Sequence, residues 1–154
     1  MYTFKNLIQS LSEYTGVDFE VAQDGSLTIM HDDLIIVLQY IKDQESINIF
    51  SHVTDPETTA TLSEETLRTA LQISYNGEGT EGNFLGIFDE SLILSNTISM
   101  NNLTAEILAE KILRFTTAAV HVFNKLLVGT SDVPKKEPPK DNVFAPTDVM
   151  FLRV

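Results

Sequence analysis

The sequence predicts an α+β fold, an antiparallel sheet with helices in the order α-β-β-β-α-β-β-α. Two observations carry this expectation. Apolar residues recur at helical spacing near both ends of the first 128 residues, and short runs rich in β-branched residues fill the interval. The gaps between those runs are only two or three residues long in places, which permits antiparallel pairing but no parallel crossover.

Phe4, Leu7, Ile8 and Leu11 fall at i, i+3, i+4 and i+7, so they share one face of a first helix. Gly16 follows as a natural terminator, because it reaches positive φ without a Cβ clash. Asp24-Gly25 then marks a turn before a run containing Leu27 and Ile29. The stretches 34–42 (LIIVLQYIK) and 46–53 (SINIFSHV) read as two more strands. With Asp32-Asp33 and Asp43-Gln44-Glu45 as turns, the three form a meander.

Residues 55–65 form a loop that ends in a helix start. Thr61 with Glu64 has the spacing of a capping box, and Ser63 is the alternative cap. Leu67, Ala70, Leu71 and Ile73 give the second helix, over 63–75, its apolar face. The stretch 84–100 reads as two strands joined by a tight turn at Asp89-Glu90. Ala105, Leu108, Ile112, Phe115, Ala119, Val122 and Leu126 then recur at spacings of three and four, which predicts a long helix over 103–128. Glu106 near its start and Lys125 near its end suit the helix dipole. Asn102 or Thr104 can cap it, and Gly129 can end it.

Residues 1–128 are thus expected to form a single domain and 129–154 a flexible tail. Four of the five prolines fall between 130 and 146, and the sequence closes on the apolar TDVMFLRV.

The chain lacks cysteine, which excludes disulfides, thiolate zinc sites and thiol nucleophiles and is compatible with a reducing cytosol. The opening residues lack the apolar core of a signal peptide, and no run approaches the length of a membrane span. A soluble, cytoplasmic protein is expected. The formal net charge is −12, and acids and bases balance from Gly129 onward, so the excess lies on residues 1–128. Such a surface repels phosphate backbones and anionic lipid, which argues against nucleic-acid and membrane partners.

Residues 77–82 (GEGTEG) match the G-x-G-x-x-G of dinucleotide-binding loops. That motif requires a strand before it and a helix N-terminus after it. Here the expected order is reversed, and Glu78 and Glu81 would push phosphate away. The glycines serve a turn. His31, His52 and His121 have no metal-ligand spacing, Asp32-Asp33 reads as a turn, and no Ser/His/Asp pattern with a mechanism appears. The chain is not expected to be an enzyme or to carry a cofactor or metal.

Leu34-Ile35-Ile36-Val37-Leu38 is apolar on both sides of the expected strand. One side can pack on the first and third helices, whereas the other has only the short second helix available. Leu113, Val120, Phe123 and Leu127 give the last helix a second apolar strip. Each Leu or Ile left in water forgoes about 1.5–3 kcal/mol. The surplus points to another polypeptide as cover: a second copy, a client, or both.

These elements resemble the class I type III secretion chaperones, the small acidic effector chaperones of the Tir-chaperone kind. The resemblance covers about residues 1–128. It rests on size, acidity and element order, and on a strand with Leu85-Gly86, the acidic turn Asp89-Glu90, the Leu92-Ile93-Leu94 strand and a Leu103-led loop into an amphipathic helix. The family often has glycine in that turn, and the proline-rich tail has no evident counterpart. The resemblance implies a bacterial cytoplasmic homodimer without catalysis or cofactor. It would hold the N-terminal segment of a secreted effector in a partly non-globular state until the export apparatus takes it. On that basis Phe4, Leu7, Ile8 and Leu11 of the first helix, with Ile29, Ile36, Leu38, Ile47 and Ile49 of the first sheet, are expected to line the client groove. The dimer contact is placed by family analogy at Leu67, Leu71, Leu85 and Ile87. The alternatives are a protein-binding adaptor outside secretion and a small carboxylate-based hydrolase.

Overall fold

The computed structural model describes residues 3–54 and 62–129. Helix α1 spans Phe4–Thr15, strands β1, β2 and β3 span Ser26–His31, Leu34–Ile41 and Ser46–His52, and helix α2 spans Glu64–Ser74. Strands β4 and β5 span Phe84–Phe88 and Ser91–Ser99, and helix α3 spans Ala105–Gly129. The element order is the expected one. All strands pair antiparallel in one sheet of order β1-β2-β3-β5-β4, which leaves β1 and β4 as the edges.

Local chemistry sets the helix ends. Thr3 caps α1 through its hydroxyl, which accepts from the Asn6 N–H, and Gly16 ends it at φ 72°. Ser63 caps α2 by accepting from the Thr66 N–H at 3.1 Å, so the alternative cap is the one used. Thr61, like the rest of 55–61, lies outside the described residues. Thr104 accepts from Ile107 N–H at the start of α3. The Asp89-Glu90 turn places both residues at positive φ, 45° and 64°, the geometry of a two-residue type I′ hairpin.

Register sorts the strand residues onto two faces. Leu38 pairs with Leu27 and Ile49, and Ile36 with Ile29 and Ser51. Ser51 in turn pairs with Leu94, and Leu94 with Leu85. These positions face the helices and, with Phe4, Leu7, Ile8 and Leu11 of α1, belong to the core. The Phe4 ring stacks on Tyr40 of β2 with centroids 5.3 Å apart. From α3, Leu108, Phe115, Ala119, Val122 and Leu126 are buried, as the spacing predicts, together with Ala118.

The far face of the sheet lacks even the one cover the sequence offered it among the described residues. The short second helix does not shield the far side of the sheet. Instead α2 packs on α3 and touches β4, burying Thr66, Ala70 and Ile73 on the helix side. Its first turns carry Glu64 and Glu65 and its outer side Leu71, so its narrow apolar stripe is used up by α3. The GEGTEG stretch lies between α2 and β4, as a turn should. A Cβ on Gly79 would come within 2.6 Å of the Ile73 carbonyl oxygen, so close packing explains that glycine without any ligand.

Candidate partner-binding surfaces

The groove residues expected from the sequence prove to be core. Phe4, Leu7, Ile8, Leu11, Ile36, Leu38, Ile47 and Ile49 are buried within the single chain, and Ile29 is half-buried against the same cluster. Their helical and alternating phases are what put them there, because α1 and α3 cover that side of the sheet. A groove lined by these side chains is therefore not present on the surface. Ile8 contributes only to the floor of a furrow beside α1, about 430 Å³ in volume. Its other lining residues are largely polar, among them Lys5, Gln9, Asp18 and Glu20, with Phe19 and Val21 as further apolar members.

The opposite phase of the strands builds a different surface. Val37 pairs with Phe50, Phe50 with Ser95, and Ser95 with Phe84, giving one row across four strands. Beside it stand the pairs Met30–Ile35 and His52–Ile93. Met30 is 77% exposed, Ile35 52% and Phe84 69%, whereas Val37, Phe50 and Ile93 are half-buried by their neighbours. No outward-facing strand residue is Asp, Glu, Lys or Arg. A sheet face that lives in water is normally polar and charged, and this chain has 22 acidic residues to supply one. Four of them sit just off the face instead. The Asp32-Asp33 and Asp89-Glu90 turns lie at the same end of the sheet, on opposite edges.

The neighbouring elements α2 and β4 also expose apolar residues. Leu71 is 73% exposed and Ile87 61%, Leu67 and Leu85 are half-buried, and Tyr75 is 75% exposed. All four residues expected at a dimer contact thus lie on these two neighbouring elements. On α3, Leu113 and Leu127 of the second apolar strip are exposed, while Val120 and Phe123 pack partly against the core.

The polar contacts among the described residues are mostly structural. His52 Nδ1 lies 2.7 Å from Ser91 Oγ, but that hydroxyl donates to the Phe88 carbonyl. Ser91 is therefore the acceptor from the imidazole N–H, and the contact ties β3 to the hairpin rather than activating a nucleophile. Among the described residues no three His, Asp or Glu side chains gather as a metal site. The Asp24 carboxyl is held below its ordinary value by the Ser26 hydroxyl and backbone N–H, a turn-stabilising pattern. A small cleft between α3 and β5, about 180 Å³, is lined by Lys111, Arg114, Asn83 and Asn96 and contains Glu81.

The model of the Tir chaperone protein (CesT) family matches residues 6–122. The chain belongs to that family. Its fold agrees with those of several solved structures at low identity. The HopA1–SchA chaperone–effector complex contains a chain that superposes at TM-score 0.63 with 12% identity, covering 79% of this chain and 93% of that one. A chain of the ExsC–ExsE complex gives 0.61 and 15%, covering 77% and 92%. A chain of the structure of the Yersinia pestis type III secretion chaperone SycH in complex with a stable fragment of YscM2 gives 0.58 and 15%, covering 78% and 99%. No curated protein matches the sequence. At these identities the likeness is one of fold, while the family match carries the membership. Among the described residues of this family member, no helix is long and apolar enough to cross a membrane.

The missed signal was phase. Met30, Ile35, Val37, Phe50 and Ile93 are the apolar residues out of step with the core set, and the two-sided run 34–38 announced them.

Proposed function

We propose that the chain is a type III secretion chaperone that binds the N-terminal chaperone-binding segment of a secreted effector and keeps it soluble, partly non-globular and ready for export. Family membership supports the class of function. The observation that carries the mechanism is the charge-free outer face of the sheet, with Met30, Ile35, Val37, Phe50 and Ile93 as its apolar members. An extended or helical client segment can lay alternate apolar side chains on it, and β1, the edge strand among the described residues, offers backbone hydrogen bonds to an added strand. Covering Met30 and Ile35 alone contributes roughly 1–2 kcal/mol each. A disordered client loses about 2–5 kcal/mol or more in ordering, so a continuous apolar surface is required rather than a single pocket.

The chaperone works as a homodimer joined through α2 and β4, with Leu67, Leu71, Leu85 and Ile87 at the contact. It acts by holding rather than by catalysis, needs no cofactor, and resides in the bacterial cytoplasm, where the export apparatus collects the client. Residues 1–128 form the chaperone domain and 129–154 an appended segment. Co-expression with N-terminal segments of large proteins encoded beside it tests the reading. A protease-sensitive effector segment should co-purify with the chaperone, and Ile35→Asp should abolish its retention. Retention unaffected by Ile35→Asp would move the client elsewhere on the surface.

A further inference from the structure

We infer that the cleft between α3 and β5 is a second docking site, which takes a glutamate side chain from an acidic segment of a partner polypeptide, with Lys111 and Arg114 as its anchors. Asn96 and Ile98 stand in the same strand phase as Leu94 and so face the helices. The cleft therefore lies on the side of the sheet away from the charge-free outer face. The two surfaces can be occupied together, and this site stands whether or not the outer face holds an effector.

Charge along α3 runs against the trend of the molecule. From Lys111 to Val128 the helix contains no Asp or Glu, in a chain with 22 acidic residues. Lys111, Arg114 and Lys125 are three of the six Lys and Arg residues in 1–128. At about 100° per residue these three and His121 fall within about 80° of one another, so they form one exposed stripe beside the buried face. Among the described residues the ion pairs are His31–Asp32 and Arg68–Glu64. Lys111 and Arg114 have none, although Glu110 adjoins the first and precedes the second by one turn. The net charge of −12 opposes an acidic partner at long range. At about 0.15 M salt the Debye length is only about 8 Å, so a group in the cleft feels mainly the cations beside it.

Hydrogen bonding inside the cleft fixes the sign of its ligand. Asn96 Oδ1 accepts from the Thr97 N–H at 2.7 Å, and Asn96 Nδ2 donates to Asn83 Oδ1 at 2.7 Å. Asn83 Nδ2 donates to the Thr80 carbonyl, also at 2.7 Å. Both amide oxygens are thus taken, and each amide nitrogen keeps one N–H. With the Lys111 ammonium and the Arg114 guanidinium, the unspent groups are nearly all donors. Glu81 is the one acid in the lining, so two cations face one carboxylate. Ile49, Ile98 and Phe115 supply an apolar floor. A volume of about 180 Å³ admits one side chain, and a glutamate suits both halves, its methylenes on the floor and its carboxylate on the donors. Inorganic phosphate has no methylene stem for that floor, and a nucleic acid would bring a row of charges against the acidic remainder of the surface.

The probe is an end-capped hexaglutamate peptide added to the full chain at about 0.15 M salt. Saturable shifts are expected in the side-chain N–H signals of Asn83, Asn96 and Arg114, weakening as salt rises. Lys111 and Arg114 are exposed, so Lys111→Glu with Arg114→Glu should melt as the parent does and bind the peptide about tenfold or more weakly. Glu81→Gln removes the competing carboxylate and should tighten binding about two- to fivefold. Lys5→Glu makes a like change of charge beside the furrow on α1 and should leave binding close to unchanged. No shift at the cleft, an equal response to inorganic phosphate, or an equal loss in Lys5→Glu overturns the inference. So does a fall in oligomeric state on the double substitution, because a second copy would then be the occupant. Effector co-purification reads the outer face alone: its failure while hexaglutamate still binds removes the proposed function and leaves this site.

Discussion

Leu71→Asp tests the proposed dimer. In the single chain Leu71 is 73% exposed and Ile87 61%, so each still has most of its burial free energy to gain. Complete burial of a Leu or Ile is worth about 1.5–3 kcal/mol, which leaves roughly 1–2 kcal/mol for each at a contact. A two-fold interface uses every such residue twice, so removing Leu71 costs about 2–4 kcal/mol. That corresponds to a weakening of dimer affinity by a factor of about 30 to 1,000. A buried carboxylate in its place adds desolvation to the loss. Because Leu71 is already in water in the single chain, the melting of the monomer fold should scarcely change. Light scattering on the full chain should give twice 17.2 kDa for the unaltered protein and a concentration-dependent fall toward 17.2 kDa for the variant. A clean monomer at micromolar concentration without any substitution refutes the reasoning, and so does a variant that dimerises as tightly as its parent.

Three further outcomes follow from the same geometry. Leu38→Ala removes a fully buried side chain and should cost about 2–5 kcal/mol in chemical denaturation, whereas Ile35→Asp should leave the denaturation midpoint close to unchanged; similar costs for the two would put the groove back where the sequence suggested. Glu90→Gly relieves a non-glycine residue at φ 64° and should stabilise the fold by about 1 kcal/mol, read as a rise in melting temperature. Asp24 should titrate below 3.8 when followed by carboxyl chemical shifts. Since its folded value is depressed, its small stabilising effect is present above the ordinary carboxylate range and lost as pH falls through the folded value. A midpoint at or above 3.8 contradicts the Ser26 contacts.

Element order was legible because each element satisfies its own local rule. The i, i+3, i+4, i+7 set of α1 ends at a glycine with φ 72°, and the α3 stripe runs unbroken through Leu108, Phe115 and Val122. The hairpins announced themselves through Asp32-Asp33 and Asp89-Glu90, where two residues must reverse the chain. The side of the sheet on which α2 would settle was not legible. Its stripe of Thr66, Ala70 and Ile73 fits a helix neighbour as well as a sheet, and only the assembled core chooses α3.

The functional surface was half legible, and the reason is physical. Regular periodicity identifies residues that must leave water, and within one chain the first claim on them is the core. Phe4, Leu7, Leu38 and Ile49 obeyed the pattern strictly, so they are buried in the core of the single chain. The surface proposed for another polypeptide is written in the residues that break the pattern: Ile35 beside Ile36, Val37 beside Leu38, Phe50 beside Ile49. In an ordinary half-wet strand those positions would be Thr, Lys or Glu. The single chain buries these side chains only in part, so much of their apolar surface is left for the proposed partner to cover. Leu71 and Ile87 follow the same logic at the sheet edge. Of the four residues the family analogy named, Leu71 and Ile87 are exposed and Leu67 and Leu85 half-buried; at an edge the inward phase of β4 has no further described strand beside it.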